Sequence, residues 1–236
     1  MALPQINTPI YELTIPSNGK KIKYRPFVVK EEKILLLALE SEDEQEITNA
    51  IVQIITNCVQ SKVDIDDLST FDIEYIFLNI RAKSVGETLE FSITCPDDNE
   101  TQIEVDINID DIKVVKEKGH TDTIDLGNGH FIKMKYPTLN YVIKKTNKGK
   151  SAIENTFEYA VDCIEQIYND EEVWESENTT REEMEAWVET LTSEQYQKVQ
   201  QFFNTMPKLK HTVKIKNPKT KVESDVTIEG LANFFA

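Results

Sequence analysis

The hydrophobic period of this chain changes at Gly86. From Lys30 to Lys83 apolar residues recur at spacings of three and four; from Leu89 to Ile107 they alternate. One period cannot serve both kinds of element, so the chain must build helices and half-buried strands in separate blocks. Ile47, Ala50, Ile51, Ile54, Ile55 and Cys58 define one helix face, with Glu44, Glu46, Asn49 and Gln53 largely on the other. Ile73, Ile76, Phe77 and Ile80 define a second helix over Asp72 to Lys83. Gly86 stands at its C-terminal cap, and Arg81 and Lys83 in the last turn suit the helix dipole. Lys30 to Leu39 predicts an earlier helix, and its unbroken apolar run Ile34 to Leu39 predicts burial on more than one side.

Period two predicts three hairpins. Ile10 to Ile15 and Lys20 to Tyr24 flank the turn Pro16-Ser17-Asn18-Gly19. Leu89, Phe91 and Ile93 pair with Ile103, Val105 and Ile107 across Cys95 to Asn99, and Lys210 to Lys216 pairs with Val222 to Ile228 across Asn217 to Thr220. These last two hairpins resemble each other. Each places apolar residues at matching offsets before a turn proline (Pro96, Pro218) and returns through a Val-x-Ile pair, with loops differing by one residue. A zinc ribbon has this geometry, but it needs four N or S ligands and these turns supply Cys95 alone. His120, His130 and His211 are too scattered to complete a set, so the hairpins read as metal-free.

Elsewhere, Lys116 to His130 reads as a loop with a short strand, Gly127-Asn128-Gly129 as a hairpin turn, and Phe131 to Tyr136 as a strand stopped by Pro137. Ile153, Phe157, Ala160, Val161, Ile164 and Ile167 fall on one helix face, and Asn169 to Thr179 reads as an acidic surface loop. Thr180 with Glu183 and Thr192 with Gln195 match the capping-box spacing and open two further helices. The pattern predicts an α+β fold: helical blocks interleaved with antiparallel β-hairpins, and no parallel sheet. Read along the chain it divides into an N-terminal hairpin plus helical module (1–86), a β-rich middle (87–137), and a helical module ending in a hairpin and a short apolar segment (138–236).

With 26 Lys+Arg against 42 Asp+Glu, the formal charge of −16 argues against sequence-independent binding to nucleic-acid phosphates and against anionic membrane surfaces. No apolar run approaches the roughly 20 residues that span a bilayer, and the N-terminus lacks the basic and apolar regions of a signal peptide. Three widely spaced cysteines, Cys58, Cys95 and Cys163, suit a reducing cytoplasm. A Gly-x-Ser-x-Gly elbow, a phosphate loop, a His-Glu-x-x-His pair and EF-hand spacing are all missing from the sequence. Asp64, Asp66, Asp67 and Asp106, Asp110, Asp111 are candidate Mg²⁺ groups, but in so acidic a chain solvated faces and helix N-terminal charges account for them. The expectation is a non-enzyme with no catalytic residues, metal or cofactor.

The remaining signals are surfaces. Tyr24-Arg25-Pro26-Phe27 joins a stiff turn to aromatics and an arginine, types enriched in interface hot spots. The alternative is that Phe27 packs on the first helix while Arg25 pairs with Glu31 or Glu32. Trp174 in the acidic loop is either a docking residue or a ring folded back on its own helix, and Phe234-Phe235 either a core plug or an anchor for a partner. Self-association is a further candidate. An acidic mimic of DNA that occupies a nucleic-acid-binding enzyme rests on net charge only.

Three stretches resemble the T4-like bacteriophage baseplate hub assembly protein family: Leu13 to Ser17 with Gly19 to Lys33 (GKKIKYRPFVVKEEK), Thr70 to Gly86 (TFDIEYIFLNIRAKSVG), and Val226 to Leu231 through Phe234-Phe235. They span both ends of the chain. The resemblance implies a non-enzymatic role in building the central hub of a contractile-tail baseplate, with phage hub proteins as partners, in the cytoplasm of the infected host. A permanent structural subunit of the mature virion baseplate is the alternative within the family. The resemblance also implies Cys pairs at the hairpin turns, where this chain departs from it.

Overall fold

The computed structural model describes residues 6–138 and 152–230. Contacts group the chain into two compact units, one formed by residues 1–115 with 208–236 and the other by residues 116–207. This grouping cuts across the three-part division read in chain order, because the last hairpin packs with the N-terminal elements.

In the first unit, β1 (Tyr11–Thr14) and β2 (Lys21–Tyr24) form an antiparallel hairpin with Leu13 opposite Ile22. Gly19 closes its turn at φ +69°, where a Cβ would be strained, and donates its N–H to the Ile15 carbonyl at 2.9 Å. Helices α1 (Val29–Glu40), α2 (Glu44–Cys58) and α3 (Thr70–Val85) follow. Asp43 caps α2 by accepting the Gln45 and Glu46 N–H groups at 2.8 and 3.2 Å. α3 is buried on most sides through Phe71, Ile73, Ile76, Phe77, Leu78 and Ile80, and Gly86 ends it at φ +140°. Fully buried Asp72 accepts the Ser17 N–H at 3.0 Å and the Ser69 hydroxyl, tying the first turn to the start of α3.

One expectation fails in α1. Its apolar run is not buried on more than one side: Leu36 and Leu37 are each 56% exposed and Val29 77%. Only Glu31 and Ala38 are buried on this helix.

Beyond Gly86, β3 (Thr88–Thr94) pairs with β4 (Gln102–Asn108), and β10 (Lys208–Lys216) pairs with β11 (Glu223–Glu229) on one edge and β5 (Lys113–Val115) on the other, all antiparallel. Spacing alone does not show the strand β5; its three residues carry too little periodicity and depend on Leu209 lying opposite Val114. Leu78 and Ala82 of α3 pack with Leu89, Phe91, Ile93, Ile107, Leu209, Ile215 and Ile228 in one core.

The two similar hairpins end in equivalent turns. Asn99 donates its N–H to the Cys95 carbonyl and Lys221 to that of Asn217, each at 2.9 Å, and both donors have positive φ (55° and 67°). The turns meet. Buried Asn217 donates through Nδ2 to both Asp97 oxygens at 3.0 and 3.1 Å and to Asp98 Oδ2 at 3.0 Å. Its Oδ1 accepts the Lys219 N–H at 2.8 Å, and the Thr220 hydroxyl bonds Asp97. Side chains at the ribbon-like knuckles are thus joined by hydrogen bonds; Thr220 and Asn217 hold the Asp97 carboxyl below the ordinary carboxylate range, and Thr101, with Asn217 adding to it, holds that of Asp98 there.

The second unit is a four-stranded antiparallel sheet in the order β6 (Thr123–Gly127), β7 (His130–Met134), β8 (Ile164–Tyr168), β9 (Val173–Glu175), with α4 (Ala152–Asp162), α5 (Arg181–Val188) and α6 (Ser193–Thr205). Both capping boxes form, Thr180 with Glu183 and Thr192 with Gln195. Every sheet among the described residues is antiparallel, and the architecture is α+β.

The structure departs from the sequence pattern at two places in this unit. Ile164 and Ile167 do not continue a helix; they lie in β8. Lys133 pairs with Gln166 but Met134 with Ile164, so Glu165 is an extra residue in a bulge, and both isoleucines reach the core at a helix-like spacing of three. The acidic loop also holds a strand, β9, followed by a 3-10 turn at Ser176–Asn178.

Buried His120 bridges this unit, with Nδ1 2.9 Å from the Thr205 hydroxyl, Nε2 3.0 Å from the Tyr136 hydroxyl and its ring 5.1 Å from that of Phe202. Burial lowers its pKa and Lys116 adds to this, against an opposing effect of Asp122. The contribution is therefore complete above the unfolded value of about 6.5 and is lost as pH falls from there through the lower folded value. Urea midpoints of this unit are expected to drop over that window in the native chain and less so in His120→Gln. Equal pH slopes would refute the assignment.

Candidate interaction surfaces

The turn Tyr24 to Phe27 faces inward. Tyr24 joins β2 to the residue after α2 through a bridge to Val59, and Arg25 N–H donates to the Cys58 carbonyl at 3.0 Å. Tyr24 and Phe27 are 2% and 7% exposed, and the Phe27 N–H is held by Ser84 Oγ at 2.9 Å. The Arg25 guanidinium donates to the Pro26 carbonyl at 2.9 Å and to Glu31 at 3.0 Å. Glu31, 1% exposed, also accepts the Val28 N–H at 3.0 Å. Burial pushes the Glu31 carboxyl up, but Arg25 and the Val28 N–H outweigh it and hold the carboxyl below its ordinary range. These residues seat the first turn of α1 and leave little of themselves to a partner.

What they leave uncovered is the outer face of α1. At 3.6 residues per turn, Val29, Lys33, Leu36, Leu37 and Glu40 share a stripe opposite Glu31 and Ala38. All five are exposed. The sequence signal was the run Ile34 to Leu39, richer in apolar residues than one helix–core contact can use.

Trp174 sits on β9, opposite Ile167 of β8, at the edge of the four-stranded sheet. It is 40% exposed, beside Val173 at 56%. The turn into β9 is set by Asn169, whose Oδ1 accepts the Glu171 and Glu172 N–H groups at 2.9 and 2.7 Å. Asp170, Glu171, Glu172, Glu175 and Glu177, which flank Trp174 in sequence, are all exposed, and none has an ion-pair partner among the described residues. An exposed aromatic ring on so acidic a segment is suited to a basic surface, since the ring takes a cation on its face. Phe234 and Phe235 lie outside the described residues.

Among the described residues no group of three or more His, Cys, Asp or Glu is placed to hold a metal ion, and no helix is long and apolar enough to cross a membrane. No curated protein and no solved structure matches the chain. The family model described as the T4 bacteriophage base plate protein matches residues 8–236, so the match takes in the α1 stripe, the β9 edge and both paired hairpins. Over nearly its whole length, then, the chain belongs to the T4 bacteriophage base plate protein family.

Proposed function

We propose that this phage baseplate protein is a non-enzymatic assembly factor of the baseplate hub, acting through protein–protein contacts in the infected cell during tail morphogenesis. The observation that carries the reading is the exposed Trp174 edge on a segment of exposed carboxylates without ion-pair partners among the described residues, in a chain of net charge −16. Such a surface covers a basic patch on a hub subunit until the neighbouring subunit arrives, and long-range attraction speeds the encounter.

Co-purification from infected cells with quantitative mass spectrometry of intermediates and finished tails tests this. The protein is expected in hub intermediates and absent from finished particles. Fixed stoichiometry in both would make it a permanent subunit, and absence from both would overturn a baseplate role. Trp174→Ala combined with Glu171→Lys and Glu172→Lys is expected to abolish capture of hub intermediates while circular dichroism stays unchanged. The native association rate is expected to fall as salt rises. A salt-independent rate would remove the electrostatic part of the mechanism.

A further inference from the structure

We propose that the outer face of α1 is a self-association surface, occupied by the same helix of a second copy of this chain in antiparallel register. The proposal rests on α1 alone and is independent of the hub reading.

The helix is covered on one side only. Glu31 and Ala38 define the buried face, and directly opposite lie Val29, Lys33, Leu36, Leu37 and Glu40. Two adjacent leucines more than half exposed at the middle of a helix, with Val29 at its start, form an apolar stripe that water solvates at a cost. The charges on the stripe choose its occupant. Lys33 and Glu40 are exposed, and neither has an ion-pair partner among the described residues. They stand on either side of the leucine pair at equal distances: Lys33 three positions before Leu36, Glu40 three after Leu37.

A two-fold axis between positions 36 and 37 therefore does two things at once. It sets Leu36 of one copy against Leu37 of the other, and it sets each Lys33 against Glu40 of the second copy. A self-complementary patch of this kind is what an isologous dimer requires. A parallel arrangement would oppose Lys33 to Lys33 and Glu40 to Glu40, so the charges also select direction. Contact between three-turn helices falls short of the roughly 1,200 Å² of a stable complex, so the dimer is reversible and concentration-dependent.

Sedimentation of the full chain over a concentration series tests this directly. The native chain is expected to show a monomer–dimer equilibrium, and Leu36→Ser/Leu37→Ser to remain monomeric with unchanged circular dichroism. Lys33→Glu and Glu40→Lys alone each replace two attractions per dimer by two repulsions, and each is expected to raise the dimer Kd about tenfold. The double variant Lys33→Glu/Glu40→Lys restores both pairs and is expected to return to the native Kd. An equimolar mixture of the two single variants is expected to form the heterodimer in preference to either homodimer. A native chain that stays monomeric throughout would overturn the proposal. So would a double charge variant no better than the singles, a measurement that holds even if the serine variant fails to fold.

Discussion

Arg25→Ala is expected to destabilise the first unit by about 3 kcal/mol at neutral pH, because it strands the Glu31 carboxylate in the interior without its counter-charge. Glu31 is 1% exposed, and its other tie is the Val28 N–H at 3.0 Å, too little to hold a full charge. The pH dependence reverses as well. In the native chain the Glu31 carboxyl is held low, so its contribution is present above the unfolded value and is lost as pH falls through the folded one. In Arg25→Ala burial is opposed by the Val28 N–H without the arginine and raises the carboxyl, so the variant regains stability as pH falls through the raised value. Urea unfolding of both chains from pH 7 downward checks this, with Arg25→Ala/Glu31→Gln as the partner that removes the stranded charge. A native-like midpoint for Arg25→Ala at neutral pH would show that water reaches Glu31.

Asn217→Asp is expected to cost a similar amount, at least about 3 kcal/mol at neutral pH. The substitution exchanges two N–H donors for oxygen at a position 1% exposed whose amide nitrogen lies 3.0 Å from Asp97 Oδ1 and 3.0 Å from Asp98 Oδ2. Three carboxylates then converge where two were bridged. Like charges and burial together raise the new carboxyl, so stability recovers on acidification in the variant. The native chain moves the other way: Asp97 and Asp98 are held low by Thr220, Thr101 and Asn217, and that stabilisation is lost as pH falls through their folded values. Asn217→Ala leaves the same acceptors unbridged without adding charge and is expected to lose less, about 2 kcal/mol. Thermal midpoints of the three chains at neutral pH and near pH 4 separate these outcomes. Equal midpoints for Asn217→Asp and Asn217→Ala would mean that the turns part when the bridge is broken.

The helices and hairpins were legible from residues alone wherever a local rule governs them. Apolar spacing places α2 and α3, alternation places β3 with β4 and β10 with β11, and Thr180-Glu183 and Thr192-Gln195 start two helices to the residue. Gly86 and Gly19 stand where positive φ is required. The readings that failed depend on contacts made far along the chain. The Glu165 bulge lets a strand imitate a helical spacing, since the extra residue turns Ile164 and Ile167 to one face. β5 and β9 are three residues each, and a strand that short is defined by its partner, Leu209 opposite Val114 and Ile167 opposite Trp174.

The candidate surfaces divide in the same way. Tyr24, Arg25 and Phe27 are of the residue types found at interfaces, but residue type does not record which side faces the core; a buried carboxylate six positions later takes the arginine inward. The apolar excess of Ile34 to Leu39 was visible as an excess, yet which leucines stay outside depends on where α2 leaves α1 uncovered. Local backbone preference and hydrophobic period act within one or two turns of chain, so they are written in the sequence. The pairing of the Cys95 and Asn217 turns joins residues more than a hundred positions apart, and the free stripe on α1 is a remainder of packing. Both come from long-range burial, which the tertiary structure alone sets because loop-closing contacts between distant segments leave no local period to read.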